Sequence, residues 1–426
     1  MTYKNLIKNQ ILLSLISPAL AIYTVFNCKD ERFIVFSGTL FFGFLGSVFI
    51  YAPGTDGYSH LQSVKLHYLD MSLDDFFVKT YEILTFQSTE VSTDMYKHVL
   101  AFLAGSVFGI PELLHVFSGL ILGYFFTKSV LLVIENKSRS KEGALLLGFI
   151  ALFLIVRSIS ALNSVRMWTG MWVFFYGSYG YIVTKNKRFL LIVFLSTVIH
   201  FSYFLYIIPV VFAYFLRSRK ILISFIYILS FSANISFMSV SGLIPDLELL
   251  NNKQKYTNID PDNIEESEDD LTTSKGNFYK KYGPAIYNNY SMVLLSFLLI
   301  IFLNNKNSDD NLIFLISAGL LLLALSNYIG FNPAASGRGK TIGATFLVAG
   351  ALNVLINYQD YNLVGFQNRM VKLALWIFLI SAIPYFLFNI AYAFGTISFN
   401  IFGAPFVSWM AGEDDLSIRD FLMLIF

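Results

Sequence analysis

The stretch Met167-Trp-Thr-Gly-Met-Trp-Val-Phe-Phe-Tyr-Gly-Ser-Tyr-Gly-Tyr-Ile-Val183 carries no charged side chain, and Arg166 stands directly before it. An apolar run of this length is typical of a helix that crosses a lipid bilayer. A guanidinium at the end of such a helix is costly unless it faces water, a protein cavity or an anion. Arg166 is therefore the first candidate for a functional residue.

The composition of the whole chain is typical of a membrane protein. Of its 426 residues, 56% are hydrophobic and 14% are charged, and the mean hydropathy is +0.62. Only α-helices and closed β-barrels satisfy the backbone hydrogen bonds inside lipid, and these apolar runs are far longer than barrel strands. The sequence predicts an all-α polytopic integral membrane protein, with residues 1–426 forming a single transmembrane domain.

Composition also excludes several functions and partners. A net charge of +2 without a dense block of Lys and Arg gives no reason to expect nucleic acid. The single cysteine, Cys28, excludes an internal disulfide and a cysteine-based metal site. The N-terminal residues lead into an apolar run without a small-residue cleavage site, so we expect an uncleaved first span. No cofactor is expected, and membrane lipids are expected partners.

Apolar runs predict about 12 transmembrane helices. They cover residues 6–26, 33–51, 113–134, 143–160, 164–183, 189–201, 203–216, 221–241, 286–303, 312–329, 341–357 and 373–392. Two long connections remain, a first loop at 52–96 and an acidic second loop at 242–285. The loops rich in Lys and Arg should face the cytoplasm, which places both long loops and both termini outside.

Two segments depart from simple spans. Orientation requires that Lys97–Ile110 form an outer-surface or re-entrant helix rather than a crossing. The pair 189–201 and 203–216 is too short for two crossings and predicts a bent hairpin, broken near His200-Phe-Ser202. Broken helices are tolerated in membranes where they line a cavity.

Four cations on the predicted outer side are not explained by the rule that basic loops face the cytoplasm: Arg157, Arg166, Arg338 and Lys340. No acidic residue lies between Gly143 and His200, so a partner for Arg166 must come from elsewhere in the fold or from a ligand. The alternatives are that these side chains reach the interface or pair with a buried acid. Cations gathered on one side favour an anionic, phosphorylated ligand.

Four short motifs resemble the EpsG-type proteins of the Wzy polymerase group, which polymerise bacterial surface polysaccharides. They are Gly54-Thr-Asp56-Gly-Tyr58, Asn163-Ser-Val-Arg166, the hairpin from Lys187 to His200-Phe-Ser202, and Ser336-Gly-Arg338. Their order and spacing agree over roughly Tyr51 to Leu355. One departure is Ala52, where the family usually has an Arg; its role would be lost or taken by Lys65, Arg157 or another group.

The resemblance implies a GT-C-like architecture and a metal-independent membrane glycosyltransferase. Such an enzyme joins oligosaccharide repeat units on undecaprenyl pyrophosphate, transferring the growing chain to a sugar hydroxyl of a new lipid-linked unit. The site would face the outside of the bacterial plasma membrane, and lipid-linked oligosaccharides would be the substrates. A chain-length-regulating co-polymerase is a candidate partner.

The chemistry assigns roles to the candidate residues. A departing pyrophosphate needs cationic stabilisation, for which Arg166 and Arg338 are the first candidates. Arg157 and Lys340 are expected to bind the pyrophosphate or sugar as well. Tyr58 and Ser202, which belong to the same motifs, are further expected substrate contacts.

The attacking hydroxyl needs a base, and Asp56 and His200 are the two candidates. Asp56 can instead cap a turn or helix, and His200 can instead satisfy backbone groups freed by the broken helix. Asn163 is also expected to bind the pyrophosphate or sugar; it can instead position the Arg166 side chain or cap a helix. A divalent cation held near Asp56 is the weaker alternative, because the acids and histidines nearby match no defined ligand pattern; they are His60, His67, Asp70, Asp74 and Asp75.

Other functions compete with polymerisation. An O-antigen ligase would use the same lipid donor with a lipid A acceptor, and also needs cations at the outer face. A membrane sugar acyltransferase would place its His and Arg near the cytoplasm, where the basic loops lack His. A flippase for lipid-linked oligosaccharides would line a central cavity with charges at mid-depth, whereas the unexplained cations here are predicted at one face.

Overall fold

The fold is described by a computed structural model for residues 3–85, 87, 94–135, 143–157, 159–232, 278–330, 332–361, 366–403 and 416–425. Over these ranges the chain is helical apart from short connections, and no β-sheet forms. The extended pairings found within these ranges are two isolated bridges, Phe49 with Ile397 and Ser398 with Ser417. The predicted all-α class is confirmed for this part of the chain.

The α-helices, in chain order, are α1 Tyr3–Ile16, α2 Pro18–Tyr23, α3 Glu31–Ser47, α4 Asp56–His67, α5 Leu73–Leu84, α6 Met95–Phe102, α7 Leu113–Ile134, α8 Gly143–Ile155, α9 Ala161–Ser164, α10 Met167–Thr184, α11 Arg188–Ile199, α12 Tyr203–Leu216, α13 Lys220–Leu229, α14 Phe278–Ile286, α15 Met292–Leu303, α16 Asp310–Tyr328, α17 Pro333–Ile356, α18 Phe366–Ser381, α19 Ile383–Thr396 and α20 Ile418–Ile425. Two π-helical segments follow α6 and α14, at Leu103–Val107 and Tyr287–Ser291.

Five helical segments in these ranges are long and apolar enough to cross a membrane: Leu113–Ile134, Lys281–Leu303, Asp310–Tyr328, Pro333–Ile356 and Gln367–Thr396. Each coincides with a predicted span. The other predicted spans correspond to helices that are shorter, interrupted or less apolar. The chain is therefore a helical membrane protein. Among the described residues, fewer helices meet this measure than the 12 spans that the sequence predicts, and the end of the predicted span 221–241 lies outside those residues.

The predicted hairpin break is present. α11 ends at Ile199, His200 is extended with φ −151° and ψ 120°, and α12 begins at Tyr203. The segment Met95–Val107 is too short for a 30 Å hydrocarbon core, as expected for a helix that does not cross. The predicted first span is divided between α1 and α2, because Pro18 cannot donate a backbone hydrogen bond.

The first long loop is largely helical, since it contains α4 and α5. Each begins with a hydroxyl cap, Thr55 accepting from the Tyr58 N–H and Ser72 from the Asp75 N–H. Most of the acidic second loop, residues 242–277, lies outside the described residues.

The core that holds these elements is aromatic and closely packed. The indole of Trp172 on α10 meets Phe126 and Phe153 edge to face, which joins α7 and α8 to α10. α3 and α7 approach closely at Gly46 and Gly119, where an added Cβ would overlap the carbonyl oxygens of the facing helix. Small residues at such crossings are typical of helices packed in membranes.

Candidate functional site

A buried carboxylate joins two of the segments that carry the sequence motifs, the one ending at Arg166 and the hairpin break at His200. Asp94, only 3% exposed, precedes α6 and forms an ion pair with the Arg166 guanidinium through its Oδ2. Its Oδ1 lies 3.3 Å from His200 Nδ1 and accepts the backbone N–H of Phe201 at 3.1 Å. The alternative of a buried acid as partner is therefore right for Arg166.

Local backbone breaks position these groups. Arg166 follows Val165, whose φ of 54° marks the break between α9 and α10. The extended backbone at His200 interrupts the helical hairpin, and Asp94 accepts the backbone N–H of the next residue, Phe201. The His200 ring does not hydrogen-bond the described backbone groups at this break, because its Nδ1 faces the Asp94 carboxylate.

Asp94 remains ionised in this setting. Burial raises the pKa of its carboxyl, but the hydrogen bond and charge of His200, the charge of Arg166 and the Phe201 N–H together lower that pKa below its ordinary value. Since an ionised carboxylate only accepts hydrogen bonds, Nδ1 of His200 must carry the proton it donates. In the neutral ring, Nε2 then holds the lone pair, and it has no hydrogen-bond partner among the described residues.

Two further titratable groups line the same cluster. Lys97, 7% exposed, lies one helical turn after Asp94 and donates to Ser63 Oγ at 3.4 Å. Burial and the charge of Arg166 lower the pKa of Lys97 to about 8, while Asp94 and Asp56 act in the opposite direction. Burial, followed by the charges of Lys97 and Arg166, lowers the pKa of His60 to about 2, so its ring is neutral.

Arg338 approaches the cluster from another helix. It lies in the second turn of α17, partly exposed, and interacts electrostatically with His200 and Tyr206. Tyr206 holds the start of α17 against α12, because its hydroxyl donates a hydrogen bond to the Ala335 carbonyl at 2.9 Å. Within the described ranges Arg338 has neither a hydrogen bond nor an ion pair, so its guanidinium is open to a ligand.

The first two motifs also meet. The Asn163 side-chain oxygen accepts the backbone N–H of Gly57 at 3.0 Å, which ties the short helix α9 to the start of α4. Asn163 therefore neither holds the Arg166 side chain nor caps its own helix. Asp56 is exposed in the first turn of α4 and interacts electrostatically with Lys97, while Thr55 supplies the cap.

The remaining predicted substrate contacts are more scattered. Tyr58 is partly exposed on α4, and the Ser202 hydroxyl donates to the Met167 sulfur at 3.6 Å, beside the cluster. The Arg157 guanidinium stacks on Trp168 at 4.4 Å and interacts electrostatically with Tyr385. Lys340 donates to the Asn289 side-chain oxygen at 2.9 Å. Neither Arg157 nor Lys340 is among the charged groups that act on Asp94 or His200.

Lys65, one candidate for the role expected of an Arg at position 52, has surroundings different from those of Lys97. It is exposed and pairs with Glu112 at 3.1 Å, whereas Lys97 is buried next to Arg166.

In the part of the chain that is described, no group of three or more His, Cys, Asp or Glu side chains is arranged to hold a metal ion. The acids and histidines considered for a metal are mostly exposed on α4 and α5.

Sequence reasoning missed Asp94 and Lys97. Both lie in a polar stretch of the sequence, where a single charged residue does not indicate a functional site, and they stand out only because the fold buries them. Their spacing of three residues could have indicated a shared role, since it places both side chains on one face of a helix.

These residues define a class: a helical membrane protein with a buried Asp–His–Arg cluster and an open arginine beside it. No family model, curated protein or solved structure matches the chain.

Proposed function

We propose that this protein is a membrane glycosyltransferase that polymerises undecaprenyl-pyrophosphate-linked oligosaccharide repeat units at the outer face of the bacterial plasma membrane. The observation that supports this most strongly is the environment of His200. Asp94 fixes one ring nitrogen, and the other is left without a described partner in a cluster of cations. A base beside cations suits a reaction in which a hydroxyl attacks and an anion leaves.

The charge balance of the cluster favours an anionic ligand. Arg166 and Lys97 lie beside the buried carboxylate of Asp94, and Arg338 acts electrostatically on the neighbouring His200. Asp94 already neutralises Arg166, so Arg338 is the better candidate for gripping the departing pyrophosphate, with Lys97 as a second cation. Arginine is suited to this role because its planar fork binds phosphate oxygens in pairs.

The proposed reaction balances without a cofactor. Nε2 of His200 takes the proton from the attacking sugar hydroxyl, and the hydroxyl oxygen forms a bond to the anomeric carbon. The bond from that carbon to the pyrophosphate oxygen breaks, and the electron pair leaves with the pyrophosphate, where Arg338 stabilises the negative charge. Asp94 stabilises the imidazolium that forms, while Asp56 at the rim of the cluster stays available to orient an incoming hydroxyl.

Replacement of Arg338 by Ala in a deletion strain tests this function. We expect loss of polymer while single repeat units still reach the cell surface. A matched control is Arg217→Ala, because Arg217 is a surface residue paired with Asp310 far from the cluster. Loss of all surface repeat units, with lipid-linked units accumulating inside, would indicate a flippase instead. Free polymer that is made but not joined to its acceptor would indicate a ligase.

A further inference from the structure

A polar cavity lies beside the start of α17, and none of Asp94, Arg166, His200 and Arg338 lines it. Its volume is about 520 Å³, within the range of small-molecule sites. The ends of α13 and α16, the junction of α14 with its π-helical segment, and the first two turns of α17 surround it. The polar lining consists of Ser230, Asn288, Asn289, Ser326, Asn327, Ser336 and Lys340.

Hydrogen bonds between these helices hold the cavity open. The Ser336 hydroxyl donates to the Ser326 carbonyl at 2.8 Å, which fixes the start of α17 against the end of α16. The Asn327 amide donates to the Ser230 hydroxyl at 2.9 Å. Asn288 and Asn289 belong to the π-helical segment Tyr287–Ser291, a type of helix irregularity that is frequent at functional sites.

The helix geometry separates this cavity from Arg338. Successive residues of an α-helix are turned by about 100°, so positions 338 and 340 point to nearly opposite sides of α17. Lys340 lines the cavity, whereas Arg338 interacts with His200 and Tyr206. Lys340 and Arg338 therefore face two different places on the protein, the cavity and the His200 cluster.

The free polar groups of the cavity have a specific chemistry. Among the described residues, no carboxylate lines the cavity, and the partner of the Lys340 ammonium is the neutral amide of Asn289. The Asn288 side chain has no hydrogen bond with any described residue, and the Asn327 amide oxygen is likewise unused. Amides offer both donors and acceptors, which complement sugar hydroxyls, and an ammonium without an acid complements an anion.

We propose that this cavity binds an anionic sugar, a monosaccharide unit with a carboxylate or phosphate substituent. Lys340 contacts the acidic substituent, and the asparagines contact the ring hydroxyls. Under the proposed function, which this assignment assumes for its biological context, the sugar is a unit of the repeating oligosaccharide. The site then selects substrates by charge at a distance from the bond that forms.

Direct binding to the full-length protein in detergent tests this assignment. Ligand-observed NMR with glucuronic acid, glucose 6-phosphate and glucose should give at least roughly tenfold tighter binding for one of the two acidic sugars than for glucose. Lys340→Gln should remove that preference, Lys340→Arg should keep most of it, and Asn288→Ala should weaken binding of all three sugars. Lys281→Gln, which changes an exposed lysine outside the cavity, should leave binding unchanged.

Three results would overturn the assignment: equal affinity for glucose and both acidic sugars, acid binding that survives in Lys340→Gln, or equally tight binding of acetate or inorganic phosphate alone. The Arg338→Ala variant separates this inference from the proposed function, because it should bind acidic sugars normally. If that variant still makes polymer, the proposed function fails while the cavity assignment stands. If polymer is lost and no acidic sugar binds the unaltered protein, only the cavity assignment fails.

Discussion

His200 Nδ1 lies 3.3 Å from Asp94 Oδ1, although 106 residues separate them in the chain. The same carboxylate pairs with Arg166, so one acid orients both the histidine and an arginine. Because an ionised Asp94 requires the proton on Nδ1, it directs the lone pair of a neutral His200 to Nε2. A histidine that only satisfied backbone groups at a helix break would not need a buried carboxylate to set its tautomer.

Asp94 and His200 are expected to act as one unit. His200→Ala should lower the rate of polymerisation by about 10²–10⁴-fold, the usual contribution of a general base. Asp94→Asn keeps the shape of the side chain, but an amide no longer requires the proton to stay on His200 Nδ1. The variant should therefore also lower the rate of polymerisation strongly. The double variant should be no slower than His200→Ala alone, as measured by polymer formed over time.

Glu112→Gln provides a control for the loss of a carboxylate, because the Glu112 side chain is partly exposed and pairs only with Lys65 among the described residues. Rate losses that simply multiply in the double variant would show that Asp94 and His200 act independently.

Lys97 should make donor binding depend on pH. The pKa of Lys97 is about 8, so its ammonium is charged below that pH and neutral above it. The apparent affinity for the lipid pyrophosphate donor should therefore weaken as the pH rises through about 8. In Lys97→Arg the charge persists and this weakening should disappear, which a comparison of KM across the pH range measures.

Lys97 should also affect stability, with a defined sign. Its ordinary pKa is 10.5, so between that value and 8 the unfolded chain binds more protons than the folded chain. The fold should become more stable as the pH rises through this window. Identical pH profiles of KM and of thermal stability for Lys97→Arg and the unaltered protein would contradict both expectations.

Asn163 is expected to stabilise the fold rather than to bind substrate directly. Asn163→Ala leaves the Gly57 N–H without its acceptor and should cost about 1 kcal/mol, seen as a lower Tm. Asn163→Asp retains an acceptor and should cost less. Asn304→Ala, at an exposed helix end, serves as the control. An unchanged Tm for Asn163→Ala would show that this contact contributes nothing.

The orientation in the membrane can be tested with single cysteines in a Cys28→Ala background. A cysteine at Asp74, exposed on α5, should react with an impermeant thiol reagent added to intact cells or spheroplasts. A cysteine at Lys187, exposed in the turn between α10 and α11, should react only after the membrane is opened. The reverse pattern would place the His200 cluster on the cytoplasmic side.

Part of the site could be predicted from the sequence because its residues are conspicuous there. Arg166, His200 and Arg338 stand out in or beside apolar runs, and the hairpin break follows from the shortness of residues 188–216. Asp94 could not be found this way, since its importance depends on burial and on partners 72 and 106 residues distant. The different surroundings of Arg338 and Lys340 likewise depend on which helices pack around α17.

The most direct test of the central claim uses purified protein and a defined lipid-linked repeat unit. If His200 is the base and Arg338 binds the departing pyrophosphate, the unaltered protein should release one polyprenyl pyrophosphate for each repeat unit joined. His200→Ala and Arg338→Ala should each suppress both products. Unchanged release and polymer growth in both variants would contradict the account.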